Sequence, residues 1–310
     1  MNIGLGNLID EGLGAHVGES RAFNAAKQAA GGQRGPASYE ELRRARARLP
    51  AAPAGGRAIE LVARAGARQV PVRVTGPSSG GSRAAYLDIH GGGFYMDSAA
   101  RSDARNARLA DALGATVVSV DYRLAPEHPW PAAPDDCETA ALWLAGEGRA
   151  VHGAGPVLIG GASAGATLAT TTLLRLRDRP GEVPVAGAVL QFGAYDLSGR
   201  SPGGRRYADE WFITAYAGHV PDRTDPDVSP LYGDLRGLPP TLLVVGALDV
   251  LLEDNLAMAA RLSVAGNEVD LRVFPESLHG FTSHPTAMAA AALDRIEAWL
   301  ASRLATRAPA

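Results

Sequence analysis

The run Gly161-Ala162-Ser163-Ala164-Gly165 holds the clearest chemistry in the chain. A serine hydroxyl is a weak nucleophile at neutral pH, but a sharp turn between a strand and a helix lifts its oxygen above the sheet. The helix N-terminus behind it then favours developing negative charge. Val157-Leu158-Ile159 precedes this run and a helix-length segment, 164–177, follows it. In a chain with 37 glycines the bare pattern is weak, and its plainest meaning is a glycine-rich turn whose serine caps a helix. The strand-turn-helix setting makes Ser163 a candidate nucleophile.

A second glycine run, His90-Gly91-Gly92-Gly93-Phe94, follows the apolar stretch Tyr86-Leu87-Asp88-Ile89. Successive glycines leave backbone N–H groups unscreened, which suits an oxyanion that forms only in a tetrahedral intermediate. Gly92, Gly93 and the N–H of Ala164 are the expected donors. By itself a glycine triplet is equally a flexible turn; its pairing with a placed nucleophile decides between the two.

The serine needs a base, and the base needs an orienting group. There are seven histidines. His16 lies in the leader, His90 in the glycine turn and His128 in a proline-rich run, while His152 and His219 follow no strand. His279 comes shortly after the strand-like run Leu271-Arg272-Val273-Phe274 and is the candidate base. His284 is its rival, read as a cap of the last helix. Asp249 directly follows the apolar run 241–246, giving the chain order serine, aspartate, histidine. Glu253 and Asp254 fall within the next helical segment and read as solvated charges.

These residues need a scaffold that brings them together. Short β-type runs recur at 58–63, 69–74, 84–89, 115–120, 156–159, 186–192, 241–245 and 269–274. Helix-length segments at 101–113, 133–146, 164–177, 252–265 and 285–304 alternate with the later runs. Continuously apolar strands alternating with helices predict a mostly parallel sheet of about eight strands covered on both faces. Ligands bind such sheets beyond the carboxyl ends of the strands, where all three candidate residues fall.

Two segments lie outside the alternation. Residues 1–55 are Gly/Ala-rich, with one helix expected around 39–49 and a Pro/Gly linker at 50–56, and read as an N-terminal cap segment before a catalytic domain at 56–310. Residues 196–230 carry no strand pattern but do contain Trp211-Phe212-Ile213-Thr214-Ala215-Tyr216. They read as a cap insertion, with a long surface loop as the alternative.

Composition removes other chemistries. At 310 residues, with 46% hydrophobic and 20% charged residues, the chain is an ordinary globular one, and its net charge of −3 gives no reason to expect nucleic acid. Lys27 is the only lysine, which argues against Ser-Lys dyads, Schiff bases and phosphate-loop lysines. Cys137 is the only cysteine, so neither an internal disulfide nor a cysteine-rich zinc site can form. It sits in an apolar helical pattern and reads as packing. No long apolar run or secretory pattern is present, so no membrane anchor is expected and the cytoplasm is the default location. Assembly is left open, a homo-oligomer included.

With these residues in view, the sequence resembles the hormone-sensitive lipase-like family of α/β-hydrolases. The most specific match is the run Asp121-Tyr122-Arg123-Leu124-Ala125-Pro126-Glu127-His128-Pro129-Trp130-Pro131-Ala132-Ala133. Ser229-Pro230-Leu231, Leu238-Pro239-Pro240 and His279-Gly280-Phe281 also match, and the resemblance spans roughly residues 86–304. It implies the α/β-hydrolase fold with a helical cap, and a serine carboxylesterase acting through an acyl-enzyme on small to medium acyl esters, with no metal or organic cofactor. The tyrosine-to-proline run reads as scaffolding, with Arg123 pairing Glu127 or another acid. In the family the cap controls substrate access, so Trp211, Phe212 and Tyr216 are expected either to line the acyl or alcohol pocket or to pack the cap on the core. Where family members often have G-D-S-A-G-G, this chain has Ala162 and Ala166, which puts inherited substrate preference in question. Two other functions are compatible with the fold: a non-hydrolytic tailoring enzyme such as an acyltransferase, lyase or cyclase, and a ligand-binding receptor.

Overall fold

Each of the eight β-type runs forms a strand: β1 (Ile59–Ala65), β2 (Arg68–Thr75), β3 (Ala85–Ile89), β4 (Thr116–Val120), β5 (Val157–Ala162), β6 (Val185–Gln191), β7 (Thr241–Gly246) and β8 (Val269–Phe274). The computed structural model describes residues 5–9, 11–29, 35–50, 56–153, 155–179, 181 and 183–305. The strands join in one sheet of order β1-β2-β4-β3-β5-β6-β7-β8. β1 and β2 form an antiparallel hairpin turning at Gly66, which takes the φ of +60° the turn needs. β2 meets β4 antiparallel, and every later pairing is parallel.

The helices are α1 (Val17–Ala29), α2 (Tyr39–Arg48), α3 (Asp103–Leu113), α4 (Ala132–Ala145), α5 (Arg149–His152), α6 (Ala164–Asp178), α7 (Pro202–Arg205), α8 (Trp211–Ala217), α9 (Leu252–Val264) and α10 (Ala287–Ala305). β3, β4 and β7 are buried along their whole length, which explains their unbroken apolar character. Leu87, Val118 and Ile159 face the core under α4, α6 and α9, while Tyr86, Val117 and Leu158 face the core under α3 and α10.

The leader holds more structure than its composition suggests. α2 appears as expected, with Ser38 accepting from the N–H of Glu41. α1 was not expected, because its apolar stripe is thin; contacts with α10 and with the segment after β8 hold it in place. Residues 51–55 of the expected linker lie outside the described residues. The 196–230 interval contains α7, α8 and no strand among its residues, all of which are described. It is pinned at its exit by Asp227, which accepts a bidentate pair from Arg175 of α6 at 2.5 and 2.6 Å and the indole N–H of Trp130 at 2.8 Å.

Of the partners expected for Arg123, the structure selects another acid than Glu127: it pairs with buried Asp136 at 2.9 Å, while Glu127 is held by Arg46 of α2 at 2.6 Å. Two readings of the sequence need correction. His284 does not cap α10; Glu19 accepts the N–H of Ala287 there at 2.8 Å. Asp254 is not a solvated helix-face charge. It is 1% exposed, and one of its oxygens accepts from the Tyr207 hydroxyl at 2.7 Å and from the N–H groups of Tyr195 and Asp196. The 3.6-residue pattern missed this because the covering chain comes from the loop after β6. Asn255 clamps the same loop by exchanging hydrogen bonds with Gly193 at 3.0 and 3.2 Å.

Burial raises the carboxyl of Asp254 to about 6, against the pull of its three hydrogen bonds. A carboxyl raised on folding contributes stability that is complete below its unfolded pKa of about 3.9 and is lost as pH rises through the folded value. Asp254→Asn removes that loss. In urea unfolding, its stability relative to wild type is expected to improve by roughly 1–2 kcal/mol from about pH 4.5 to about pH 7. A pH-independent difference would show that Asp254 has an ordinary carboxyl pKa.

Candidate active site

Ser163 sits at the turn between β5 and α6 with φ +56° and ψ −122°, a conformation that side chains rarely adopt. Its hydroxyl makes no capping bond to α6, so the helix-cap alternative fails. Its N–H donates to the Gln191 carbonyl at 2.9 Å, tying the turn to β6. The flanking glycines are steric necessities: a Cβ on Gly161 would lie 2.4 Å from backbone atoms of Gly165, and one on Gly165 would lie 2.0 Å from the Ile89 carbonyl oxygen. The turn therefore closes directly onto the end of β3.

His279 follows β8 and points its Nε2 at the Ser163 Oγ, 3.0 Å away. Its Nδ1 lies 3.1 Å from both carboxylate oxygens of Asp249. Because a carboxylate only accepts, Nδ1 carries the proton and Nε2 presents its lone pair to the hydroxyl. The Asp249 side chain is fully buried, whereas that of His279 is 39% exposed and open to solvent-borne reactants. Asp249 is fixed in turn by the N–H of Leu251, which donates to Oδ1 at 2.8 Å, and the His279 ring rests edge-on against Phe192 at 5.1 Å. Glu253 takes no part in this set among the described contacts.

The glycine turn lies against the serine. A Cβ on Gly91 would meet the Ala162 carbonyl oxygen at 2.8 Å and the Ser163 Cβ at 3.5 Å. Gly92 and Gly93 adopt φ of +103° and +61°. The N–H groups of Gly92, Gly93 and Ala164 donate to no group among the described residues, leaving all three available as donors. Tyr122 of the hallmark run holds the turn from behind, donating its hydroxyl to the carbonyls of His90 and Gly91 at 3.0 and 3.2 Å and stacking on the His90 ring. Burial lowers the His90 pKa, so the ring is neutral, with Nδ1 donating to the Gly91 carbonyl at 2.8 Å. The chemistry of this run is thus support of the glycine turn, a role its sequence suggested only as scaffolding.

α8 brings the aromatic segment over the turn. Phe212 is nearest, its Cβ 3.3 Å from where a Cβ on Gly93 would stand. Trp211 leans on Tyr95, whose carbonyl accepts from Arg46 of α2 at 2.8 Å. Tyr216 is 2% exposed and stacked on Phe94 at 4.0 Å, so it supports the wall from below. Ala166 is fully buried in α6, and Cys137 is buried in α4, where burial raises its thiol pKa. A hydroxyl, an imidazole and a carboxylate in one hydrogen-bonded line, beside three free N–H groups, can carry out nucleophilic acyl transfer.

Comparison with known proteins points the same way. A sequence-family model described as alpha/beta hydrolase fold, Abhydrolase_3, matches residues 86–283. The carboxylic ester hydrolase LipN of Mycobacterium tuberculosis is 33% identical over 69% of this chain and 61% of its own length. The ethyl acetate hydrolase of Pseudomonas putida is 34% identical over 64% of this chain and 66% of its own length. The chain therefore spans under two thirds of each of these relatives. A crystal structure of a hormone-sensitive lipase from a metagenome library superposes with a TM-score of 0.74 at 29% identity, covering 92% of this chain and 98% of the other.

Proposed function

The chain belongs to the hormone-sensitive lipase-like family of α/β-hydrolases, and we propose that it is a serine carboxylic-ester hydrolase acting on small to medium acyl esters. The observation that carries this reading is the continuous hydrogen-bonded line from Ser163 through His279 to Asp249. The Ser163 oxygen attacks the ester carbonyl carbon as its proton passes to Nε2 of His279. The imidazolium is stabilised by Asp249, and the oxyanion is held by the N–H groups of Gly92, Gly93 and Ala164. Collapse breaks the bond to the alcohol oxygen, which takes the proton from His279, leaving an acyl-enzyme. Water attacks that ester with His279 again as base, releasing the acid and restoring the serine.

In this reading α8 and α2 form a cap, with Phe212 and Trp211 as the wall beside the acyl or alcohol group. The aromatic wall against Gly93 and the resemblance to an ethyl acetate hydrolase support compact substrates. No described helix is long and apolar enough to cross a membrane.

The test is a panel of esters of graded acyl length, with free acid measured alongside alcohol, in the presence and absence of an added second alcohol. Free acid should match alcohol released, and kcat/KM should fall by about tenfold or more between medium and long acyl chains. Transfer to the added alcohol with little free acid would instead make the protein an acyltransferase. Tight ester binding without turnover would make it a receptor.

A further inference from the structure

We propose that α1 is a clasp that sets the position of His279, with Asn24 as the positioning residue; this rests on reading His279 as the catalytic base. The histidine hangs from β8, an edge strand with only β7 beside it, so the sheet supports its loop from one side alone. On that inner side the fit is tight: the Ser277 carbonyl accepts from the N–H of Leu248 at 3.1 Å, and a Cβ on Gly246 would lie 2.1 Å from the same oxygen. Leu248 immediately precedes Asp249, so the acid and the base share one backbone contact.

α1 supplies the missing outer side. Asn24 donates its amide to the Glu276 carbonyl at 2.8 Å, and Arg21 reaches the Glu276 carboxylate at 2.8 Å. Glu276 has φ of +47°, a left-handed conformation that a non-glycine residue keeps only where its surroundings hold it there. Beyond the histidine, the Lys27 ammonium lies 3.2 Å from Nε2 of His284, Phe23 packs on the same ring at 4.6 Å, and Glu19 accepts the N–H of Ala287. Burial and the adjacent ammonium keep the His284 imidazole neutral, with a pKa down at about 4, so this ring can accept from Lys27. Five side chains of one helix thus grip the chain on both sides of His279. Arg21 is 68% exposed, so its ion pair is screened by solvent. Asn24 is partly buried and holds the backbone itself, which makes it the contact that matters.

Releasing the loop should displace an imidazole whose alignment matters to a fraction of an ångström. Asn24→Ala is expected to lower kcat on the order of tenfold with KM little changed. Asn24→Gln, which keeps the amide donor, should recover much of the loss, and Arg21→Ala should cost far less. Hydrogen exchange should show the amides of 276–280 exposed more often in Asn24→Ala, with those of β5 and α6 unchanged; this readout needs no turnover and also shows that the variant is folded. Wild-type kcat together with unchanged exchange at 276–280 would overturn the clasp. So would a loss that Gln does not recover, or one that comes with faster exchange throughout the sheet. If Ser163→Ala is inactive while Asn24→Ala is fully active, only the clasp fails; if Ser163→Ala stays active, the catalytic assignment fails.

Discussion

Ser163→Ala is expected to lower kcat by about four to six orders of magnitude while leaving the thermal midpoint and ester binding nearly intact. The hydroxyl makes no capping bond to α6 and its one described partner is His279, so its loss removes no bond that holds the turn. The turn is fixed instead by the Ser163 N–H to Gln191 and by the flanking glycines, all of which the variant keeps. What disappears, on the proposed mechanism, is the oxygen to which the acyl group becomes covalently attached. Residual activity should come from the free N–H groups of Gly92, Gly93 and Ala164 acting on a water-mediated reaction. Steady-state kinetics should be paired with mass spectrometry of a fluorophosphonate adduct, which wild type forms and the variant does not. A variant that keeps a tenth of wild-type kcat would end the acyl-enzyme account.

Gly165→Ala should be among the most damaging methyl additions at the described glycines. Its Cβ would stand 2.0 Å from the Ile89 carbonyl oxygen and 2.6 Å from that of His90. Both obstacles are backbone, so neither can rotate away; β3 and the glycine turn would have to move from the serine together. Overpacking of this kind costs about 3 kcal/mol or more, a large part of a typical domain's net stability. The expected result is insoluble protein, or a soluble form with a thermal midpoint lower by roughly 10 °C and little activity. Gly76→Ala is the control, since a Cβ there meets nothing within 4 Å. Wild-type stability and turnover in Gly165→Ala would mean that the turn and the end of β3 are not closely packed.

Much of this could be read in the linear chain because the relevant signals are local. The strands appear as unbroken apolar runs since both their faces are covered, and G-x-S-x-G appears because each glycine answers a clash within the turn or with the strand beside it. Ser163, Asp249 and His279 each follow a strand run, so the topology of a parallel sheet already places them at one end.

Other features depend on partners distant in sequence. α1 has too thin an apolar stripe to announce itself, and its grip on Glu276 spans more than 250 positions. Asp254 has the periodicity of a surface acid; only the loop that returns from β6 makes it a buried hub. Tyr216 and Phe212, four residues apart on α8, were equal candidates for the pocket until packing on Phe94 buried one and contact with Gly93 brought the other to the site. Residue types and spacing determined the sheet, the turn and the placing of Ser163, Asp249 and His279 at one end of it, because those follow from short-range sterics and hydrophobic period. Tertiary structure alone decided which side chains steady them, because burial and hydrogen-bond partners depend on segments that meet only after the chain has folded.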